Sequence, residues 1–90
     1  MNYVDGDLVF STLKKKFGVI DLVHVDQTGH PMFPGCEQII RINWENDSGV
    51  IHYSSLYWTS TFEVEIQIGS ILILGNPSQQ DKLAILIKYS

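Results

Sequence analysis

Histidine and cysteine side chains are the first candidates for chemistry in this 90-residue sequence. His24, His30 and Cys36 lie in one part of the chain, and His52 lies further along. Imidazole and thiolate groups bind zinc, but zinc sites usually have compact spacings such as two cysteines separated by two residues. No such spacing is present, because Cys36 is the only cysteine. We therefore expect no metal site and no cofactor.

Two other residue pairs have the chemistry that an enzyme would need. Cys36 with His30 as its base would require a rigid support, whereas both residues lie in a stretch rich in proline and glycine. Glu63 and Glu65 alternate in what reads as one strand, which places them about 7 Å apart, a separation that glycosidases can use. Alternating glutamates are more typical of the solvent face of a strand. We expect no enzymatic activity.

The aromatic residues are stronger candidates for a binding surface. Trp44 follows an alternating apolar pattern and is expected in the core. Tyr57 and Trp58 are neighbours in what reads as a turn, so both cannot easily be buried, and Phe33 lies in a loop. Exposed aromatic side chains often anchor protein interfaces. We expect Tyr57, Trp58 and Phe33 at an interface, with a small satellite core as the alternative for the first two.

Composition limits the partners of the chain. Its formal net charge is −4, and 18% of its residues are charged. An acidic balance argues against general binding to a nucleic-acid backbone, and the basic residues 14–16 fit a solvated turn. The low charge suggests apolar surface that another subunit covers. The lone cysteine, the lack of a signal-like amino terminus and the short apolar runs predict a cytoplasmic, non-membrane protein.

Alternating apolar residues predict a chain made mostly of strands. The clearest unit is a hairpin over residues 39–53, whose turn at residues 45–49 ends in Gly49. Further strands are predicted at residues 8–10, 17–25 and 62–68, with a long loop at residues 26–37. Six or seven short strands and no helix indicate an all-β barrel or sandwich.

The last part of the chain is apolar on both faces of its predicted strands. Residues 71–74 and 83–89 are expected to form a C-terminal β-hairpin in which one face has no cover within the chain. We therefore expect an interface that includes Ile71, Leu72, Leu74 and Leu86. The alternative is that this strand pair is sandwiched inside the domain. The predicted organisation is a single domain over residues 1–90, with a barrel at 6–67 and the hairpin at 68–90.

The order of glycines and apolar residues resembles a known family. The residues that carry the resemblance are GDLV at 6–9, GVI at 18–20, IRINW at 40–44, Gly49, HY at 52–53, Leu56 and FEV at 62–64. Together they resemble the small SH3-like β-barrels found in short tailed-bacteriophage proteins. The resemblance covers residues 6–66 and implies a five-stranded, strongly bent barrel that is a binding scaffold without catalytic residues. The 26–37 loop and the C-terminal hairpin depart from the pattern.

These observations predict a non-catalytic protein–protein interaction module. The resemblance implies a phage-type protein, present in the host cytoplasm or the virion. The apolar excess of the last hairpin favours a structural or assembly role as a homo-oligomer. A small acidic inhibitor of a host defence or nucleic-acid-binding factor is the alternative. A nucleic-acid-binding barrel that depends on residues 14–16 is a further alternative.

Overall fold

The computed structural model describes residues 3–23 and 39–90 of the chain. Within these ranges it contains a β-sheet and two short helices. The elements are β1 (Leu8–Ser11), β2 (Lys16–Val23), β3 (Ile39–Glu45), β4 (Ile51–Trp58), α1 (Thr59–Gln67), β5 (Ile71–Gly75) and α2 (Gln79–Lys88). The prediction of a mainly β domain is confirmed, whereas the prediction that it has no helix is wrong.

The strands form an open antiparallel sheet in the order β4-β3-β2-β1-β5. The first four strands follow one another as neighbours, and β3 and β4 form the predicted central hairpin. β5 pairs with β1 at the opposite side of the sheet from β4. Because α1 joins these two edge strands, it must cross one face of the sheet.

The main core lies between α1 and that face of the sheet. β2 and β3 supply alternating side chains, as a pleated strand requires, and Phe62 of α1 packs onto them without solvent exposure. The buried members of this core are Tyr3, Val9, Ile20, Ile40, Ile42, Trp44, Phe62 and Ile71. The expectation that Trp44 is a core residue is confirmed.

The other face of the sheet has a smaller aromatic cluster near α2. Phe10 is fully buried, and its ring centroid lies 5.0 Å from that of Phe17 and 5.7 Å from that of Tyr89. The Nζ of Lys82 lies 5.3 Å from the Phe17 ring centroid. This face is therefore covered in part by the α2 segment.

The predicted strand at residues 62–68 is wrong, because residues 59–67 form α1. The alternation of apolar and acidic residues there also places Phe62 and Ile66 four residues apart, on one side of a helix. Phe62 is buried and Ile66 packs against the core, whereas Val64 is 52% exposed. Contact with the sheet therefore favours the helix over the strand that the alternation indicated.

The predicted C-terminal hairpin is also wrong. Residues 71–75 form a strand that pairs with β1, and residues 79–88 form α2. The amino terminus of α2 is a capping box, in which the Asp81 backbone N–H donates to the Ser78 Oγ and the Ser78 N–H donates to the Asp81 carboxylate, both at 3.1 Å. These bonds satisfy N–H groups that a helix start leaves unpaired.

Gly69 ends α1 and directs the chain into β5. Its φ of 79° lies in the left-handed region that glycine enters without steric cost. The Gly69 N–H donates to the Ile66 carbonyl at 3.1 Å, and the Ser70 N–H donates to the Glu65 carbonyl at 3.0 Å. This is the hydrogen-bond pattern of a Schellman motif.

Candidate protein-interaction surface

An apolar row lies exposed on α2. Leu83, Leu86 and Ile87 follow the three- and four-residue spacing of one helix side, and we call them the α2 row. Their exposed fractions are 50%, 40% and 76%. None of the ten residues of α2, all of them within the described part of the chain, is buried. The helix therefore presents apolar side chains that the described chain does not cover.

A groove of about 300 Å³ lies beside this row. It runs between α2, the start of β2 and the β3–β4 turn. Its lining is mixed, with Phe17, Leu83 and Leu86 as apolar residues, the basic residues Lys15, Lys16 and Lys82, and the acidic residues Glu45 and Asp47. Charges of both signs therefore line it, three basic and two acidic.

The β3–β4 turn is built by Asn46. Its side-chain oxygen accepts the backbone N–H of Ser48 at 2.9 Å and that of Val50 at 3.0 Å. Gly49 has a φ of 78°, as the sequence predicted for the end of this turn. Val50, at the end of the turn, and Ile51, the first residue of β4, are both exposed.

Strand β4 has a mixed character along its length. Tyr53 and Tyr57 pack against the main core, whereas Leu56 on the other face is 59% exposed. His52 is exposed as well. The Ser54 hydroxyl donates to Asn43 Oδ1 at 2.7 Å, which ties β4 to β3 beyond the backbone ladder.

Two of the predicted interface aromatics lie at the end of β4. Tyr57 and Trp58 are strand residues, so the expectation that they belong to a turn is wrong. Both are half-buried, and the ring centroid of Tyr57 lies 5.7 Å from that of Phe62. Phe33, the third predicted aromatic, lies outside the described residues.

The apolar residues predicted at the interface occupy three different environments. Ile71 is buried in the main core, and Leu72 and Leu74 are half-buried on β5. Leu86 is exposed on α2 and lines the groove. The structure therefore places these four residues on two separate elements, and among them only Leu86, at 40%, is exposed.

The basic residues 14–16 include two lysines that cover aromatic rings. The Nζ of Lys14 lies 4.9 Å from the ring centroid of Trp44 and 5.0 Å from that of Tyr53. The Nζ of Lys16 lies 5.9 Å from the Tyr53 centroid. Ammonium groups at such distances are attracted to the ring faces. These two cations thus have a role within the molecule.

The predicted pair of carboxylates does not form a shared site. Glu63 and Glu65 lie two residues apart on a helix, where side chains do not face each other. Glu63 Oε1 accepts a hydrogen bond from the Tyr3 hydroxyl at 3.1 Å, and Glu65 accepts from the Ser70 hydroxyl. Burial of Tyr3, together with its hydrogen bond to the Glu63 carboxylate and the charge of that group, raises the pKa of Tyr3 to about 12.

The metal-ligand candidates are not assembled within the described chain. His24, His30 and Cys36 lie outside the described residues, and His52 is an exposed residue of β4. Within residues 3–23 and 39–90, no three His, Cys, Asp or Glu side chains come close enough together to bind a metal ion.

Neither helix in these ranges is long and apolar enough to span a membrane.

Sequence reasoning missed the α2 row, although a signal for it was present. Ser78 followed three residues later by Asp81, then by apolar residues and a closing Lys88, is the pattern of a capped helix. The apolar residues at 83–89 instead favour a turn followed by a strand, which is the prediction that the structure overturns.

Comparisons with known proteins identify no relative of this chain. No protein-family model matches the chain, and neither a curated protein nor a solved structure is significantly similar to it.

Proposed function

We propose that this chain is a non-catalytic protein–protein interaction module with a structural or assembly role. The observation that carries the proposal is the α2 row, in which three apolar side chains of a capped helix lie exposed. Apolar side chains gathered on one helix side usually face another protein surface. At about 25 cal/mol per Å² of apolar area removed from water, covering them would favour association.

A finer reading of the same proposal is an SH3-like barrel of the kind found in short tailed-bacteriophage proteins. Support for it comes from the glycine and apolar residues between positions 6 and 56 and from the antiparallel strands, whereas residues 62–64, the last part of the pattern, lie in α1. In that setting the chain would assemble with copies of itself or with a neighbouring capsid or tail protein. It would be made in the host cytoplasm and would need no cofactor.

A nucleic-acid-binding barrel has less support. Its basic residues would have to be free for phosphate contacts, whereas Lys14 and Lys16 lie over the rings of Trp44 and Tyr53. The net charge of −4 would also repel a polyanion. An acidic inhibitor that binds a basic partner fits the charge but does not use the α2 row.

Light scattering of the purified chain over a concentration series tests the assembly role. We expect a defined oligomer whose mass is a fixed multiple of the 10.2 kDa chain mass. A species that stays at the chain mass throughout the series would contradict assembly through self-association and favour the inhibitor. Far-ultraviolet circular dichroism serves as the control for folding, since the described chain combines strands with two helices.

A further inference from the structure

A lysine ammonium lies over two neighbouring aromatic rings at one end of the sheet. The Nζ of Lys14 is nearly equidistant from the ring centroids of Trp44 and Tyr53, at 4.9 Å and 5.0 Å. The two rings belong to opposite residues of β3 and β4, and their centroids lie 6.5 Å apart with an angle of 33° between the ring planes. We call this ring pair, which shares one cation, the aromatic platform.

The aromatic platform is held in position by contacts that do not involve Lys14. The Trp44 indole N–H donates to the Ser55 hydroxyl at 3.0 Å, and the Trp44 side chain is fully buried. Its neighbour on β2 is Gly18, where a Cβ atom would lie 2.7 Å from the indole ring. Tyr53 packs against the main core. The platform is therefore pre-organised, which lowers the cost of binding a cation there.

Lys14 is attached to the platform only through its flexible side chain. It is an exposed residue of the β1–β2 turn, and among the described residues no carboxylate lies within ion-pair distance of its ammonium. Backbone groups close the turn, since the Lys14 N–H donates to the Ser11 Oγ at 3.0 Å and the Lys15 N–H donates to the Ser11 carbonyl at 2.7 Å. The Lys14 side chain can therefore leave the rings while the turn is kept, and the position of its ammonium is open to solvent.

We propose that the aromatic platform is a binding site for a quaternary ammonium group, and that Lys14 fills this site when no ligand is bound. The negative face of an aromatic ring attracts cations, and quaternary ammonium ligands are recognised in this way. The primary ammonium of lysine is strongly hydrated, so a methylated nitrogen loses less on leaving water. The net charge of −4 also favours the approach of a cation.

This site goes beyond the assembly role and does not depend on it. The α2 row is carried by the helix that covers the other face of the sheet. Failure of the ligand to bind would therefore leave the proposed assembly through the α2 row untouched, and a monomeric chain would leave the platform untouched.

The test uses choline and N-acetyl-trimethyl-lysine amide as probes, with the tert-butyl analogue of choline as the uncharged control of the same shape. Heteronuclear NMR spectra follow the indole N–H of Trp44 during each titration, and the indole N–H of Trp58 at the other end of β4 is the internal reference. We expect both cations to shift the Trp44 signal and the uncharged analogue to leave it unchanged. The tighter-binding cation shows whether the group belongs to a modified lysine side chain or to a small free ion.

Two lysine-to-alanine variants test whether Lys14 competes with the ligand. Lys14→Ala removes the ammonium from the platform, whereas Lys15→Ala makes the same change of net charge at the next position, and Lys15 has no ring contact among the described residues. We expect Lys14→Ala to lower the dissociation constant about two- to fivefold, the factor by which an exposed lysine–ring contact would compete. Lys15→Ala should leave it nearly unchanged.

Tyr53→Leu keeps an apolar side chain but removes one ring, so it should weaken binding at least about threefold. Circular dichroism checks its folding, and if it does not fold, the comparison of choline with its uncharged analogue decides the proposal without a variant. A Trp44 signal that no cation shifts in either the wild-type chain or Lys14→Ala would overturn the site. Equal shifts caused by the uncharged analogue would also overturn it, and equal tightening in both lysine variants would overturn the role of Lys14.

Discussion

Gly18 allows β2 to pass close to the core side chains of β3. A Cβ atom at this position would lie 2.6 Å from Ile42 Cγ2 and 2.7 Å from Trp44 Cε3. Both neighbours are fully buried, so neither can move aside without disturbing the core. The position therefore requires a residue without a side chain for reasons of space.

We expect Gly18→Ala to lower the free energy of unfolding by about 1–3 kcal/mol through overpacking. The reduced entropy of the unfolded chain would offset only part of this cost. Urea unfolding followed by tryptophan fluorescence measures the change. Leu13→Ala in the exposed β1–β2 turn is the control and should change stability by less than about 0.5 kcal/mol. An unchanged midpoint for Gly18→Ala would show that β3 has room to shift.

Tyr3 links the start of the chain to α1. Its side chain is buried, its hydroxyl donates to Glu63, and its ring lies edge-on to Phe62 with centroids 5.0 Å apart. These surroundings raise the pKa of Tyr3 to about 12 from its ordinary value of 10.0. The folded state therefore prefers the neutral phenol.

The raised pKa of Tyr3 predicts a loss of stability in alkali. The contribution is fully present below pH 10.0, where the phenol is neutral in both states, and is lost as the pH rises towards about 12. Urea unfolding at a series of alkaline pH values should show this decline, and Tyr3→Phe should reduce it. Tyr89→Phe, which removes a different phenol, should retain it. An equal decline in both variants would contradict the role of Tyr3.

At the scale of elements, α2 depends on its caps more than on burial. Its capping box satisfies backbone N–H groups at the amino terminus, and Lys88 places a positive charge near the carboxyl terminus. No residue of α2 is buried. Isolated helices of this length are marginal in water. We infer that α2 is the least stable of the described elements when no partner covers the α2 row.

Ser78→Ala should therefore unravel α2 locally. Loss of the cap costs about 0.5–2 kcal/mol of helix stability, while the main core, to which α2 contributes no buried residue, should keep its unfolding midpoint. Hydrogen exchange measures the first effect as faster exchange of α2 amides, and thermal unfolding measures the second. Ser78→Asp preserves a capping side chain and should restore slow exchange. If thermal unfolding shows a loss of stability as large as the loss that hydrogen exchange shows for α2, then α2 unfolds together with the main core.

At the scale of the whole molecule, the proposed self-association through the α2 row should not depend on ion pairs. The side chains of the α2 row are uncharged, and each chain has a net charge of −4, so the long-range force between copies is repulsive. Added salt screens this repulsion. We expect the dissociation constant to stay constant or fall between low and high salt, as measured by sedimentation. Dissociation at high salt would contradict association through the α2 row and indicate salt-bridged contacts.

The sequence alone predicted a mainly β domain, the β3–β4 hairpin with its turn at Gly49, and a buried Trp44. Strand alternation and turn residues are local signals, and they were sufficient for these features. The α2 cap is also encoded locally by Ser78 and Asp81, although the glycine and proline that precede it favour a turn.

Only the tertiary structure decided the state of residues 59–67 and the placement of the last strand. The alternation through Phe62, Val64 and Ile66 fits a strand, and also places the first and last of these on one side of a helix. Contact with the sheet selects the helix, because burying Phe62 and Ile66 together covers the core while Val64 stays in water. Likewise, the long-range pairing of β5 with β1 depends on residues about sixty positions apart, and it places β5 and β4 at opposite ends of the strand order. Local sequence patterns carry no information about contacts at that separation.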